Sequence, residues 1–181
     1  EMILHDYEAA KKSNAGEVYV ATPDKAIFEL VSNYGGKAVL SSETHNTGTD
    51  RIFEVFKNTL KSLPNIIVNL QGDMPNIEPK IIKNLINYMQ QGKCEVGTLA
   101  SEIKNNFELE DENIVKVLVK EKLKEGIFSE ALDFLRVNPG QNHKTYHHVG
   151  IYAFTSIALT KYVSLKRSKL ELNRKLEQLR A

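Results

Sequence analysis

Residues 66–75 read IIVNLQGDMP. The apolar, β-branched run Ile66–Ile67–Val68 continues through Asn69 and Leu70 and is too short for a helix. It reads as a buried strand, and Pro75 prevents a ladder from continuing past it. Between strand and proline stand Gln71, Gly72 and Asp73. Gly72 allows another group to approach the backbone closely. In an open α/β sheet, ligands bind beyond the carboxyl ends of the strands. A carboxylate at Asp73 is therefore placed to hold a divalent cation on a phosphate. The same residue also suits an ordinary turn cap, and position alone does not separate the two.

The flanking sequence supplies the sheet. Helical spacing of Ile3, Leu4, Tyr7 and Ala10 predicts a helix over 1–14, closed by Gly16. EVYVAT (17–22) predicts a strand bounded by Pro23. A helix over 24–36 with a Gly-Gly stop follows, then a short strand, KAVLSS (37–42), and the polar loop ETHNTGTD (43–50). A helix is expected over 51–63, with Thr49 or Asp50 as its cap. After the strand at 65–70 come a helix over 78–92 and a strand over 95–103. Strands separated by helices of about a dozen residues indicate an α/β fold with a parallel sheet. Beyond residue 110 the pattern changes. NIVKVLVKE (113–121) and HHVGIYAFT (147–155) are strand-like, the segment between them is irregular, and SKLELNRKLEQLRA (168–181) is expected to be one charged helix.

Composition narrows the function classes. The chain has 181 residues, 41% apolar and 26% charged, which suits one soluble domain. A formal net charge of +1 argues against nucleic-acid binding through bulk charge. No apolar run reaches the roughly 18 residues of a membrane span. A single cysteine, Cys94, excludes an internal disulfide and suggests a reducing compartment. His143, His147 and His148 raise the possibility of zinc, but no cysteine or paired acid has ligand spacing around them.

HNTGTDR (45–51), VNLQGDMP (68–75), HHVGIYAF (147–154) and LELNRKLEQLR (170–180) occur in this order, with YVATPD (19–24) ahead of them and VKVLV (115–119) among them. Together they resemble the CMP-Kdo synthetases, the 3-deoxy-manno-octulosonate cytidylyltransferases, along essentially the whole chain. The resemblance implies a Rossmann-like nucleotide-diphospho-sugar transferase fold, mainly parallel and flanked by helices, forming a single domain over 1–181. It implies transfer of CMP from CTP to Kdo with Mg2+ as cofactor, in the cytoplasm, for lipopolysaccharide synthesis, with no nucleic-acid or membrane partner. Asp73 would be the catalytic metal ligand. Gln71, His148, Tyr152, Glu177 and Gln178 would contact the substrates, and Gly48, Thr49 and Arg51 would border the nucleotide. His148 and Tyr152 share one side of a regular strand. Glu171, Arg174 and Gln178 share one face of a regular helix. The resemblance also suggests a homodimer, with contacts sought in 127–145.

The chain departs from the family pattern in several places. The basic, glycine-containing loop that precedes the first helix and the second metal-binding Asp beyond LEQLR are not in the sequence. The first strand of the sheet and a C-terminal segment are thus expected to be missing, and a chain made with these ends is expected to turn over slowly. Glu130 stands where the family has an Arg, Met74 replaces a Glu, and Arg174 replaces an acid. Glu130 would repel an acidic sugar. Two alternatives follow: a catalytically dead remnant or interaction module, or a cytidylyltransferase for another acidic sugar such as sialic acid.

Overall fold

The computed structural model describes residues 2–59, 64–92, 94–140 and 144–181. They form two compact units. One comprises 1–97 and 151–163, the other 98–150 and 164–181.

In the first unit, α1 (Met2–Lys12) is followed by β1 (Val20–Thr22), α2 (Lys25–Asn33), β2 (Ala38–Leu40), α3 (Gly48–Thr59), β3 (Ile66–Asn69) and α4 (Pro79–Met89). Local chemistry sets these boundaries. Asp24 caps α2, its carboxylate accepting from the Ala26 N–H at 2.7 Å. At the other end of α2, a side chain at Gly36 would meet Val31 Cγ1 at 2.7 Å, so the sharp return to β2 requires glycine. Pro79 occupies the first turn of α4, where its missing N–H costs nothing. Tyr7, Val20 and Val31 form one core, flanked by Ile3, Leu4, Val18, Ile27 and Ala38. Phe56, Tyr152, Phe154, Leu159 and Tyr162 form a second.

β1 and β2 are parallel, as the sequence suggests. β3 is not an interior parallel strand. It pairs antiparallel with β7 (Thr145–Thr155), Ile66 opposite Thr155 and Asn69 opposite Tyr152. An apolar run carries no information on its neighbour's direction. The alternation with helices that signals parallel pairing lapses after α4, so the mainly parallel sheet expected from the sequence is corrected here. The β3–β7, β5–β6 and β5–β7 pairs are all antiparallel, and β1–β2 is parallel. α6 (Ser156–Ser164) follows β7, and its Ala158, Leu159 and Tyr162 are buried.

The second unit holds most of β4 (Val96–Ser101), the short α5 (Asn106–Glu110), β5 (Lys116–Val119), β6 (Ala131–Leu135), the first part of β7, α7 (Lys169–Arg174) and a 3-10 turn over Glu177–Arg180. β5 pairs antiparallel with both β6 and β7. Val117, Val119 and Tyr146 are its core, with Phe134 and Leu123 against them. Lys116 is fully buried, and its ammonium donates to the carbonyls of Asp111 at 2.6 Å and Arg136 at 2.9 Å. Segment 128–135, which looked irregular in sequence, thus contains a strand.

Two helical expectations change. α3 begins at Gly48, three residues before the expected start, and Thr47 is its cap: Thr47 Oγ1 accepts the Asp50 N–H at 3.2 Å and donates to Asp50 Oδ2 at 2.8 Å. The expected helical residues 60–63 and Glu1 lie outside the described residues. The closing helix is not continuous, because Lys175 is left-handed with φ 53° and ψ 46°. The common helical face expected for Glu171, Arg174 and Gln178 therefore does not form.

Asp6 departs from ordinary core chemistry. It is 2% exposed, and neither carboxylate oxygen has a hydrogen-bond partner of good geometry. Burial raises its pKa from 3.8, and the charge of Asp73 adds to this; the Met74 backbone N–H and His5 oppose them. A raised carboxyl pKa gives stability that is complete below the unfolded value and is lost as pH rises through the folded value. Asp6→Val is therefore expected to stabilise the fold at pH 7 by about 2 kcal/mol, the usual cost of an unsatisfied buried polar group. Thermal unfolding from pH 4 to pH 8 checks this: the gain should grow with pH.

Candidate active site

The turn that ends β3 is open. Gln71, Gly72 and Asp73 are all exposed, and Met74 accepts from the Ile77 N–H at 3.0 Å to close the bend before Pro79. Asp73 makes no ion pair or hydrogen bond among the described residues. Its charge is nonetheless felt by Asp6 in α1. The close approach allowed by Gly72 is to this same helix: a Cβ there would lie 2.8 Å from Ile3 Cδ1.

The loop before α3 is tied to the end of β3. Thr49 is buried at 1% exposure, and its Oγ1 accepts from Asn69 Nδ2 at 3.4 Å. A Cβ on Gly48 would lie 3.7 Å from the same Asn69 nitrogen. Asn69 is itself buried, at the last position of the strand that leads to Asp73. The structure thus brings Gly48 and Thr49 to the strand end that carries Gln71 and Asp73. Arg51 has partners within its own loop. Its Nη1 donates to Ser41 Oγ at 2.5 Å and to the Ser42 carbonyl at 3.0 Å, so it holds the loop. Glu54 holds it too, accepting from the Ser42 N–H at 3.0 Å and pairing with His45 Nε2. That His45 hydrogen bond is the first cause of the lowered Glu54 pKa. Nothing in the residue pattern distinguished His45 and Glu54 as a clamp, since they are nine positions apart across a loop.

In the first unit, Tyr152 lies in the core, 5% exposed, its ring centroid 6.1 Å from that of Phe154. In the second unit, His148 is 8% exposed. Burial, with His147 adding to it, lowers its pKa to about 4, so the ring is neutral at physiological pH. Thr98 Oγ1 donates its one proton to the Val149 carbonyl at 3.2 Å. His148 Nε2 lies 2.9 Å from the same oxygen, within hydrogen-bond reach. The Phe134 ring packs on His148 edge to face at 5.0 Å. His143 lies outside the described residues, and among the described residues no group of three or more His, Cys, Asp or Glu could hold a metal.

Glu177 and Gln178 are half-buried at the start of the 3-10 turn. The turn contacts β6, the strand that carries Phe134. Glu130 is exposed and faces Lys120 Nζ at 3.1 Å, so its charge has a cationic partner on the surface. Among the described residues, no helix is long and apolar enough to cross a membrane.

Comparisons with known proteins bear on the family and the fold. The cytidylyltransferase family profile matches residues 1–181. The 3-deoxy-manno-octulosonate cytidylyltransferase of Bartonella henselae is 38% identical over 182 residues, covering 99% of this chain and 74% of that protein. The structure of CMP:2-keto-3-deoxy-manno-octonic acid synthetase complexed with CTP superposes with a TM-score of 0.86 at 34% identity, covering 99% of this chain and 73% of that one. The 4-diphosphocytidyl-2C-methyl-D-erythritol synthase of Anaerococcus prevotii shares the fold, with a TM-score of 0.55 at 14% identity over 98% of this chain and 74% of that one. A match along the full chain, together with relatives well above 30% identity, places the protein in the cytidylyltransferase family.

Proposed function

We propose that the protein transfers CMP from CTP to 3-deoxy-D-manno-octulosonate, releasing pyrophosphate. The observation that supports this most directly is the juxtaposition of the Gly48–Thr49 helix start with the β3 end that carries Gln71 and Asp73. A helix start with small residues admits a nucleotide closely, and an exposed carboxylate beside it suits the phosphates' counter-ion. Mg2+ would supply charge neutralisation on the phosphates. The donor set fits such an ion: one unpaired carboxylate oxygen donor, to be completed by substrate oxygens and water.

The protein's own part is placement. Asp73 would hold the ion at the strand end. Arg51 and Glu54 fix loop 41–47, so the nucleotide meets a preorganised wall rather than a loop it must order. As the sugar hydroxyl oxygen bonds to the α-phosphorus, pyrophosphate departs, and catalysis rests on orientation and charge. Neutral His148 presents an uncharged polar ring rather than a cation to the sugar, and Glu177 and Gln178 hold sugar hydroxyls. We place the activity in the cytoplasm, in lipopolysaccharide synthesis. We place a homodimer contact in 127–145, where Ile127, Leu132 and Val137 are 61%, 60% and 55% exposed; residues 141–143 of that segment are outside the described set.

The test is pyrophosphate release by the full-length protein with CTP or UTP, Mg2+, and either Kdo or sialic acid. CTP with Kdo is expected to exceed every other pairing by at least a hundredfold in kcat/KM. Equal rates with sialic acid would overturn the sugar assignment.

A further inference from the structure

We infer that Glu171, Arg180 and Ser168 are positioning residues: they form a buried clasp that sets Glu177 and Gln178 for the sugar. Glu171 is 0% exposed. Arg180 grips it with two bonds, Nε to Oε2 at 3.1 Å and Nη2 to Oε1 at 2.8 Å, and Arg167 Nε reaches Oε1 at 2.9 Å. Ser168 adds a second link. Its Oγ accepts the Glu171 N–H at 3.0 Å as the cap of α7, and donates to the Leu179 carbonyl at 2.9 Å.

The break in the helix follows from these contacts. In an unbroken helix, residues 171 and 180 would be nine positions apart, roughly 13 Å along the axis. The left-handed Lys175 folds the chain back so that the two charges meet. That conformation is uncommon outside glycine and carries strain, which the buried pair offsets. Leu176, 4% exposed, anchors the middle of the returning segment. α7 is itself pinned to β6, Arg174 Nη1 donating to Asp133 Oδ1 at 2.7 Å and to the Phe134 carbonyl at 3.0 Å. Lys175 to Leu179 are thus enclosed between two fixed points, which hold the backbone that carries Glu177 and Gln178. Arg suits this role because its planar fork fixes geometry as well as charge, which a lysine ammonium does not.

The inference rests on the proposed sugar role of Glu177 and Gln178, and the experiment separates the two. Arg180→Lys keeps the charge and loses the fork. Ser168→Ala loses the bridge to Leu179. Each is expected to raise KM for Kdo at least fivefold, leaving KM for CTP and the CTP-binding affinity within twofold. Arg167→Gln, on the exposed side of the pair, should change KM for Kdo by less than twofold. Folded variants with an unchanged KM for Kdo would overturn the clasp, as would parallel losses for both substrates that track a lowered melting temperature. Should Arg180→Lys not fold, the milder Ser168→Ala carries the test alone. An unchanged KM for Kdo in Gln178→Ala and Glu177→Gln would instead overturn the sugar role beneath it.

Discussion

Asp73→Asn is expected to lower pyrophosphate release at least a hundredfold at saturating CTP, while the melting temperature stays constant or rises slightly. The two halves of this expectation come from one observation: Asp73 is exposed and has no partner among the described residues. Removing its charge therefore breaks no contact. It relieves the repulsion that helps raise the pKa of Asp6, which is a small gain in stability. A carboxylate that harms the resting fold and touches nothing has a local cost without a local return, the pattern expected at functional positions. On the activity side, the amide keeps the shape but not the charge that holds the cation. Losing one preorganised electrostatic contact to a developing phosphate charge costs about 3 kcal/mol, or a hundredfold and more in rate. The decisive measurement is turnover across a Mg2+ titration. Full activity of Asp73→Asn at any Mg2+ concentration would remove Asp73 from the metal site.

The sequence conveyed some layers of this structure and not others, for physical reasons. Elements with a strong period or a strong stop were legible: α2 between Asp24 and Gly35–Gly36, α4 from Pro79, β7 through HHVGIYAFT. The start of α3 was not, because Gly48, Thr49 and Asp50 have loop composition and become helical once Thr47 caps them. β6 was missed since its one-sided contacts leave Ala131 and Leu132 exposed, blurring the alternation. α6 had a usable signal in Ala158, Leu159 and Tyr162, hidden by its direct continuation from β7. Strand direction and the break at Lys175 depend on contacts between residues far apart in the chain, which no local pattern encodes. For the candidate site, residue types and their order proposed Asp73, Thr49, His148 and Gln178, and the structure adds what surrounds each. Their partners decide what each can do: Arg51 turned out to hold its own loop, and His148 to be neutral.

Glu171→Gln tests how much of the second unit depends on one ion pair. Burial alone would push the Glu171 pKa up, but the hydrogen bonds from Arg180 and Arg167 and their charges outweigh it, and the net shift is downward from 4.5. A lowered carboxyl pKa means the pair's contribution is present above the unfolded value and is lost as pH falls through the folded value. Acid should therefore loosen this region below about pH 4.5 in the wild type, and the Gln variant should lack that step. At pH 7 the variant leaves the buried Arg180 guanidinium, its side chain 3% exposed, without its counter-charge. Breaking one side of a buried pair costs about 3–5 kcal/mol, whereas replacing both partners by apolar residues is often close to neutral. Glu171→Leu with Arg180→Met should then recover most of the stability lost in Glu171→Gln. The magnitudes separate two origins of the loss. If the double variant recovers, the single variant suffers from an uncompensated charge; if it does not, the pair itself is the attraction that holds the segment. Amide exchange at Leu172 and Leu176, whose N–H groups donate to the Ser168 and Glu171 carbonyls, reports on this segment directly. Exchange there is expected to accelerate at least a hundredfold in Glu171→Gln, in line with about 3 kcal/mol, and to return within tenfold of wild type in the double variant. Exchange in Glu171→Gln at the wild-type rate would mean that α7 and the turn after it are held by Ser168 and Leu176 without the ion pair.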